Sequence, residues 1–221
     1  VLNLNSEVYG KSGSSTVLLG DDRLSSSGAL SVINVQSPNA KIQQAISFAN
    51  NGVDINVGSG TYHESVDVYK SVGLYGSNAV INPNSPGFYV TANNVTVDGF
   101  EIINADTGII VEDADHVTLT ANNIHNLDSG DGIRATDADY LSVFGNTITG
   151  NSMTGSSTGV RVTNSSHVDI GDGQGGGSLR NTISRFGRGV FVLGGHDVEV
   201  DNNLIRNTDY GIRANGVDSL V

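Results

Sequence analysis

A repeat that opens near residue 93 and runs to the C-terminus limits this chain to one kind of architecture. Apolar pairs stand at Val95/Val97, Val117/Leu119, Leu141/Val143, Val168/Ile170 and Val198/Val200, and another opens at Leu220. A second anchor recurs at Ile102, Ile124, Ile148, Ile183 and Ile205. A third is a Gly-apolar step: Gly108-Ile109, Gly132-Ile133, Gly159-Val160, Gly189-Val190 and Gly211-Ile212. From each of these glycines to the next apolar pair (Gly108 to Val117, Gly132 to Leu141, and so on) is always 9 residues. Val95 to Val117, the shortest full period, is 22 residues. Self-similarity at such a period marks a stacked-repeat architecture. Function then belongs on the outside of a rod rather than in a conventional cleft.

Each repeat holds three short stretches of alternating apolar and polar residues, as in Val95-Thr96-Val97. Alternation is a strand signal. Three strands and three turns per repeat make one coil, and stacking coils about 4.8 Å apart pairs each strand, parallel and in register, with its counterpart. Two residues before four successive Ile anchors stand Asn122, Asn146, Asn181 and Asn203. Asn at one point of consecutive coils can hydrogen-bond along the stack and hold a bend. This ladder is structural and specifies no chemistry.

In these features the chain resembles the right-handed parallel β-helix, pectin-lyase-like superfamily. The segments Asn122-Asn123-Ile124, Asn146-Thr147-Ile148 and Asn203-Leu204-Ile205 carry the resemblance. So does the glycine-rich coil from Ile170-Gly171-Asp172-Gly173 to Asn181-Thr182-Ile183-Ser184. Upstream, Ile42-Gln43-Gln44-Ala45-Ile46, Val53-Asp54-Ile55-Asn56-Val57 and Gly60-Thr61-Tyr62-His63-Glu64-Ser65-Val66 extend it. The resemblance implies an all-β, right-handed parallel β-helix over residues 37–221 with a short N-terminal capping helix. It implies no single activity, because the superfamily holds lyases, hydrolases, esterases, epimerases, tailspikes and adhesins. The Asn-Thr-Asp, Asp-Asp and Gly-His-Gly set of polygalacturonases is missing, and Gly194-Gly195-His196-Asp197 does not replace it. So is the Asp-Pro-His of mannuronan epimerases, and a chain without Trp cannot carry the Trp-Ile-Asp-His of pectate lyases. Gly60-Thr61-Tyr62-His63-Glu64 echoes pectin methylesterases, whose catalytic Gln-Asp segments do not follow.

The N-terminal third is organised differently. Ser37-Pro38 reads as a helix N-cap with Pro in the first turn. Ile42, Ala45, Ile46 and Ala49 then recur at helical spacing, which predicts a capping helix over about 38–50 that covers the first coil. Residues 1–36 form an extension in which Val1-Leu2-Asn3-Leu4 alternates. At the other end Leu220 and Val221 open a new coil. Val1, Leu2 and Leu4 of one copy are expected to complete that coil in another, giving head-to-tail growth; truncation of a longer repeat protein explains the same end.

The outer face reads as columns. Arg134, Arg161, Phe191 and Arg213 follow the Gly-apolar step on successive coils, after Ile110. Arg binds carboxylates bidentately and an aromatic ring stacks on a sugar face, so the strip suits an acidic polysaccharide; a solvated face with Arg134 paired to Glu112 or a nearby Asp is the plainer alternative. The spacing from Ile anchor to Gly grows to 8 residues at Ile124–Gly132 and 11 at Ile148–Gly159, which places two insertions side by side. They bring His125, Asp128, Asp131 and Arg134 near one another, the one constellation that could abstract a proton beside a sugar carboxylate. Asp113, Asp115, Asp137 and Asp139, in two Asp-Ala-Asp steps, could hold calcium through oxygen ligands or cap turn amides; no other cofactor is indicated.

The net charge of −12 disfavours nucleic acid as a partner. No apolar run approaches the roughly 18 residues of a membrane span. With no Cys there are no disulfides or thiolate metal sites. Abundant Gly, Asn, Ser and Thr with few Lys fit an extracellular or cell-surface protein. The expectation is a non-catalytic structural or adhesive β-helix module of an adhesin, surface fibre or filament. The alternatives are a polysaccharide lyase or epimerase acting on an acidic glycan, and a carbohydrate-binding module.

Overall fold

The computed structural model describes residues 2–6, 9–12, 15–18, 31–36, 38–153, 155–171 and 179–221, the first three segments as backbone only. Ser37, most of the glycine-rich coil after Gly171, and Val1 lie outside the described residues.

The repeat folds as its period requires. Three sheets run the length of a parallel β-helix. The apolar pairs form the first sheet, in the register Val97–Leu119–Val143–Ile170–Val200. The Ile anchors form the second, with Ile102, Ile124, Ile148, Ile183 and Ile205 on one line. The residues after each Gly form the third, along Ile109–Ile133–Val160–Val190–Ile212. The second and third sheets each have seven strands, from Gly60–Tyr62 to Leu204–Arg206 and from Val66–Val68 to Tyr210–Asn215. Alternation puts one residue in two inside, so a single column of buried Val, Ile, Leu and Phe fills the coil. Leu220 starts a further rung by a parallel bridge to Val198.

The Gly of the Gly-apolar step is fixed by close approach. A Cβ on Gly132 would stand 2.6 Å from the carbonyl oxygen of Gly159, the same glycine one rung on, and would overlap Ile148 of the second sheet. The corner has no volume for a side chain, so the sequence keeps Gly there.

The Asn ladder forms as expected. Asn122 Nδ2 donates to Asn146 Oδ1 at 3.1 Å, Asn146 Nδ2 to Asn181 Oδ1 at 3.1 Å, and Asn181 Nδ2 to Asn203 Oδ1 at 2.9 Å. Each Nδ2 also donates to a main-chain carbonyl: Val97, Leu119, Val143 and Ile170 in turn. At its N-terminal end the ladder stops on Phe100, whose N–H bonds Asn122 Oδ1 at 3.1 Å and whose ring packs edge-on to Phe88.

The capping helix is shorter than expected, Ile42–Phe48, and its N-cap position is Lys41. Ile42, Ala45 and Ile46 are buried against the first coil. Its ends are capped from the next coil. The Glu64 carboxylate accepts the N–H groups of Ile42 (2.8 Å) and Gln43 (3.1 Å). Lys70 Nζ donates to the carbonyls of Ser47 and Ala49, both at 2.7 Å. Acid at the N-terminus and base at the C-terminus also match the helix dipole.

Upstream of the helix, Val32–Val35 already pairs in register with Val53–Val57, so the first sheet begins before residue 37. Leu2–Ser6 lies beyond it. Leu2 and Leu4 pair in parallel with Ile33 and Val35 of their own chain, and the strand's other edge pairs with Tyr9–Ser12. Among the described residues, no helix is long and apolar enough to cross a membrane.

Candidate functional site

Strand parity turns one column of the third sheet outward: Asp67, Tyr89, Ile110, Arg134, Arg161, Phe191 and Arg213. Arg134, Arg161, Phe191 and Arg213 thus share one column, and its polar groups are organised around two centres. Arg161 is the first. Its Nε donates to Asp131 Oδ2 at 2.6 Å and its Nη2 to Asp131 Oδ1 at 3.3 Å, to Ser156 O at 3.0 Å and to Thr158 Oγ1 at 3.1 Å. Asp131 Oδ1 also accepts the Thr158 N–H at 2.7 Å. This partly buried, bidentate pair pins the second insertion onto the strand.

Phe191 is the second centre. Three guanidinium groups approach its ring, with Arg188 at 4.9 Å, Arg161 at 5.4 Å and Arg213 at 5.9 Å from the centroid. Tyr210 extends the patch beside Arg213, at 5.7 Å. Arg161 and Arg213 come from the rungs on either side of Phe191, so the ring is flanked by cations along the stack. Arg188 Nε is buried and has no hydrogen-bond partner among the described residues.

Arg188 and Tyr210 were not singled out in the sequence. Each immediately precedes the Gly of a Gly-apolar step, and the structure pairs them in a column with Thr158. Starting the strand at Gly hid them, because the third-sheet strands here begin one residue earlier.

The proton-abstraction constellation is dispersed. His125 Nε2 lies 2.9 Å from Glu101 Oε1 on the neighbouring second-sheet strand. Asp131 is committed to Arg161 and to the Thr158 amide. Arg134 is exposed and forms no ion pair among the described residues; Glu112, its suggested partner, accepts instead from the Tyr89 hydroxyl. That hydrogen bond, then burial and nearby carboxylates, raises the Tyr89 pKa. Asp128 lines a cavity of about 280 Å³ between the two insertions, which do stand side by side, Asn151 Nδ2 donating to the Leu127 carbonyl.

The acidic column caps backbone. Asp115 Oδ1 accepts the Asp139 N–H at 3.1 Å, and Asp139 Oδ1 accepts the Ser166 N–H at 2.7 Å. Asp113 and Asp137 take the left-handed conformation of the corner, with φ of 51° and 50°. Asp115 and Asp139 are thus turned along the stack toward amides. Among the described residues, no three carboxylates of this column gather their oxygens into one ligand cluster.

The same corner carries a ladder that the apolar periodicity did not reveal. Immediately before the first-sheet apolar pairs stand His116, Tyr140 and His167, all left-handed, with φ of 55–56°. Their rings stack, His116 on Tyr140 at 4.6 Å and 10°, Tyr140 on His167 at 4.5 Å and 11°. The separations match the rung spacing of about 4.8 Å, so register alone brings flat rings into contact.

A β-helix with a continuous Asn ladder and in-register sheets defines the class. The chain belongs to the right-handed β-helix family, whose "Right handed beta helix region" matches residues 23–221. A protein named "Cell surface glycoprotein" from Methanothermus fervidus is 37% identical over 100 residues, covering 42% of this chain and 17% of that protein. The chain thus spans less than a fifth of that relative. The crystal structure of an alginate lyase from Paenibacillus sp. str. FPU-7 aligns over 84% of this chain and 98% of that one, with a TM-score of 0.44 and 14% identity. That likeness is too loose to transfer any property.

Proposed function

We propose that this chain is a non-catalytic β-helix module of a cell-surface protein, and that its Arg–Phe strip is the face that meets acidic polysaccharide. The observation that carries the surface assignment is the 37% identity to a protein named as a cell surface glycoprotein. The non-catalytic reading is supported by how the candidate catalytic groups are used: His125 lies against Glu101, and Asp131 anchors Arg161. The contact face is supported by Phe191 with its three guanidinium neighbours and by exposed Arg134 and Arg213. A uronate would place its carboxylate on the guanidinium groups and its ring face toward Phe191 or Tyr210.

Antibodies against the chain should label intact source cells, and labelling that appears only after permeabilisation would overturn the surface assignment. Affinity electrophoresis in a polyuronate gel should retard the chain. Phe191→Ala and Arg213→Ala should abolish the retardation, whereas a neutral glucan should cause none. Release of unsaturated uronates on incubation would overturn the non-catalytic reading.

A further inference from the structure

The segment Gly194-Gly195-His196-Asp197 is used neither by the strip nor by the core. We infer that His167, His196 and Asp197 form a binding site for one divalent transition-metal ion of the zinc and nickel class. This site lies on the corner ladder and is independent of the glycan reading.

Three ligand atoms converge. His167 Nε2 lies 3.6 Å and His196 Nδ1 3.3 Å from the same oxygen, Asp197 Oδ2. The three residues' ligand atoms all lie within 4.8 Å of one another. A tetrahedral ion with bonds of about 2.1 Å keeps its ligand atoms about 3.4 Å apart. Two contacts therefore already have ligand spacing, and small side-chain rotations close the third. Two imidazoles and one carboxylate suit zinc, nickel or copper, whereas calcium and magnesium favour sets made of oxygen.

The fold holds these groups in place. The His167 N–H donates to His196 O, and the Val168 N–H to Asp197 O, both at 3.1 Å, so the two turns are locked rung to rung. His167 and Asp197 share the left-handed corner conformation, with φ of 55° and 52°. Gly195 lets the turn close on the rung below, since a Cβ there would overlap the Ser165 carbonyl. Tyr140 covers one face of the His167 ring, and the His196 ring stands at 80° to it. Paired Asp169 and Glu199 line the adjoining groove and make its potential negative, which favours a cation. All three ligands are substantially exposed, so the remaining coordination positions are open to water or an incoming ligand.

The test is isothermal titration of the untagged chain with zinc chloride and nickel chloride, with calcium chloride as comparator. One site per chain is expected for zinc and nickel. His167→Ala and His196→Ala should each weaken it about tenfold or more, since even outer-shell losses cost that much; His63→Ala should leave it unchanged. Imidazole NMR signals of His167 and His196 should shift or broaden on addition of metal, while that of His63 stays. Circular dichroism of each variant checks that it is folded. No saturable binding of zinc or nickel, binding that survives in both histidine variants, or saturation by calcium alone would overturn the site.

Discussion

Replacing Asn146 by Leu tests whether the ladder stabilises the rod or merely decorates it. Asn146 Oδ1 accepts the Asn122 N–H at 3.0 Å and Asn122 Nδ2 at 3.1 Å. Its Nδ2 donates to Leu119 O at 2.8 Å, Phe144 O at 3.0 Å and Asn181 Oδ1 at 3.1 Å. Leu has similar bulk and makes none of these bonds. Some partners keep a second contact: Asn122 Nδ2 still reaches Val97 O, and Asn181 Oδ1 still accepts the Asn146 N–H. The buried Asn122 N–H has no such substitute. An orphaned buried donor costs about 1–3 kcal/mol, and each other lost bond a net of about 1 kcal/mol or less. Apolar burial of Leu offsets part of this, which leaves a loss of about 2–4 kcal/mol. That is a large share of a typical domain's stability of about 5–15 kcal/mol. Urea unfolding followed by far-ultraviolet circular dichroism measures it. Asn203→Leu, at the half-buried end of the ladder, should cost clearly less. The double variant Asn122→Leu/Asn146→Leu should be less destabilised than the sum of its parts, because the shared bond is lost only once. A loss under about 0.5 kcal/mol at Asn146, the scatter of neutral surface changes, or strict additivity of the pair, would refute the ladder's energetic role.

Gly132→Ala should destabilise by about 1–3 kcal/mol, because neither the Gly159 carbonyl nor Ile148 can retreat. Gly211→Ala, at the same column where a Cβ meets nothing within 4 Å, should be nearly neutral in the same thermal melts. Lys70→Met should strip the helix of its C-terminal donors, at a cost of about 1 kcal/mol. Faster amide exchange over 42–48, with the distant coils unchanged, is the readout. Burial raises the Asp98 pKa above its ordinary 3.8. The folded state therefore favours the protonated acid, which contributes stability below pH 3.8 that is lost as pH rises through the folded value. Asp98→Asn should accordingly melt higher than the parent at neutral pH, and the gain should vanish in acid. A gain that is constant with pH would exclude the carboxyl as its cause.

The sequence by itself determined the parallel β-helix, the three sheets, their register and the identity of the inward column. The reason is physical: stacked coils repeat each position along one line, so Ile102, Ile124, Ile148, Ile183 and Ile205 must meet. The same rule made the Asn ladder and the Arg134–Arg161–Phe191–Arg213 column legible. It could not say how outward side chains pair, because exposed positions tolerate many residues and carry no period. Only the tertiary structure joined Asp131 to Arg161, His125 to Glu101 and Glu112 to Tyr89, and added Arg188 to Phe191 and Tyr210 to Arg213. The helix caps were equally hidden, since Glu64 and Lys70 come from the following coil and not from the helix's own flanks. The N-terminal strand alternates as a partner strand should, but alternation does not say which chain it pairs with, and here it pairs with its own. His167, His196 and Asp197 converge because coils of different lengths end at one left-handed corner. The 29-residue gap between the two histidines hides a single rung, and three-dimensional register removes it.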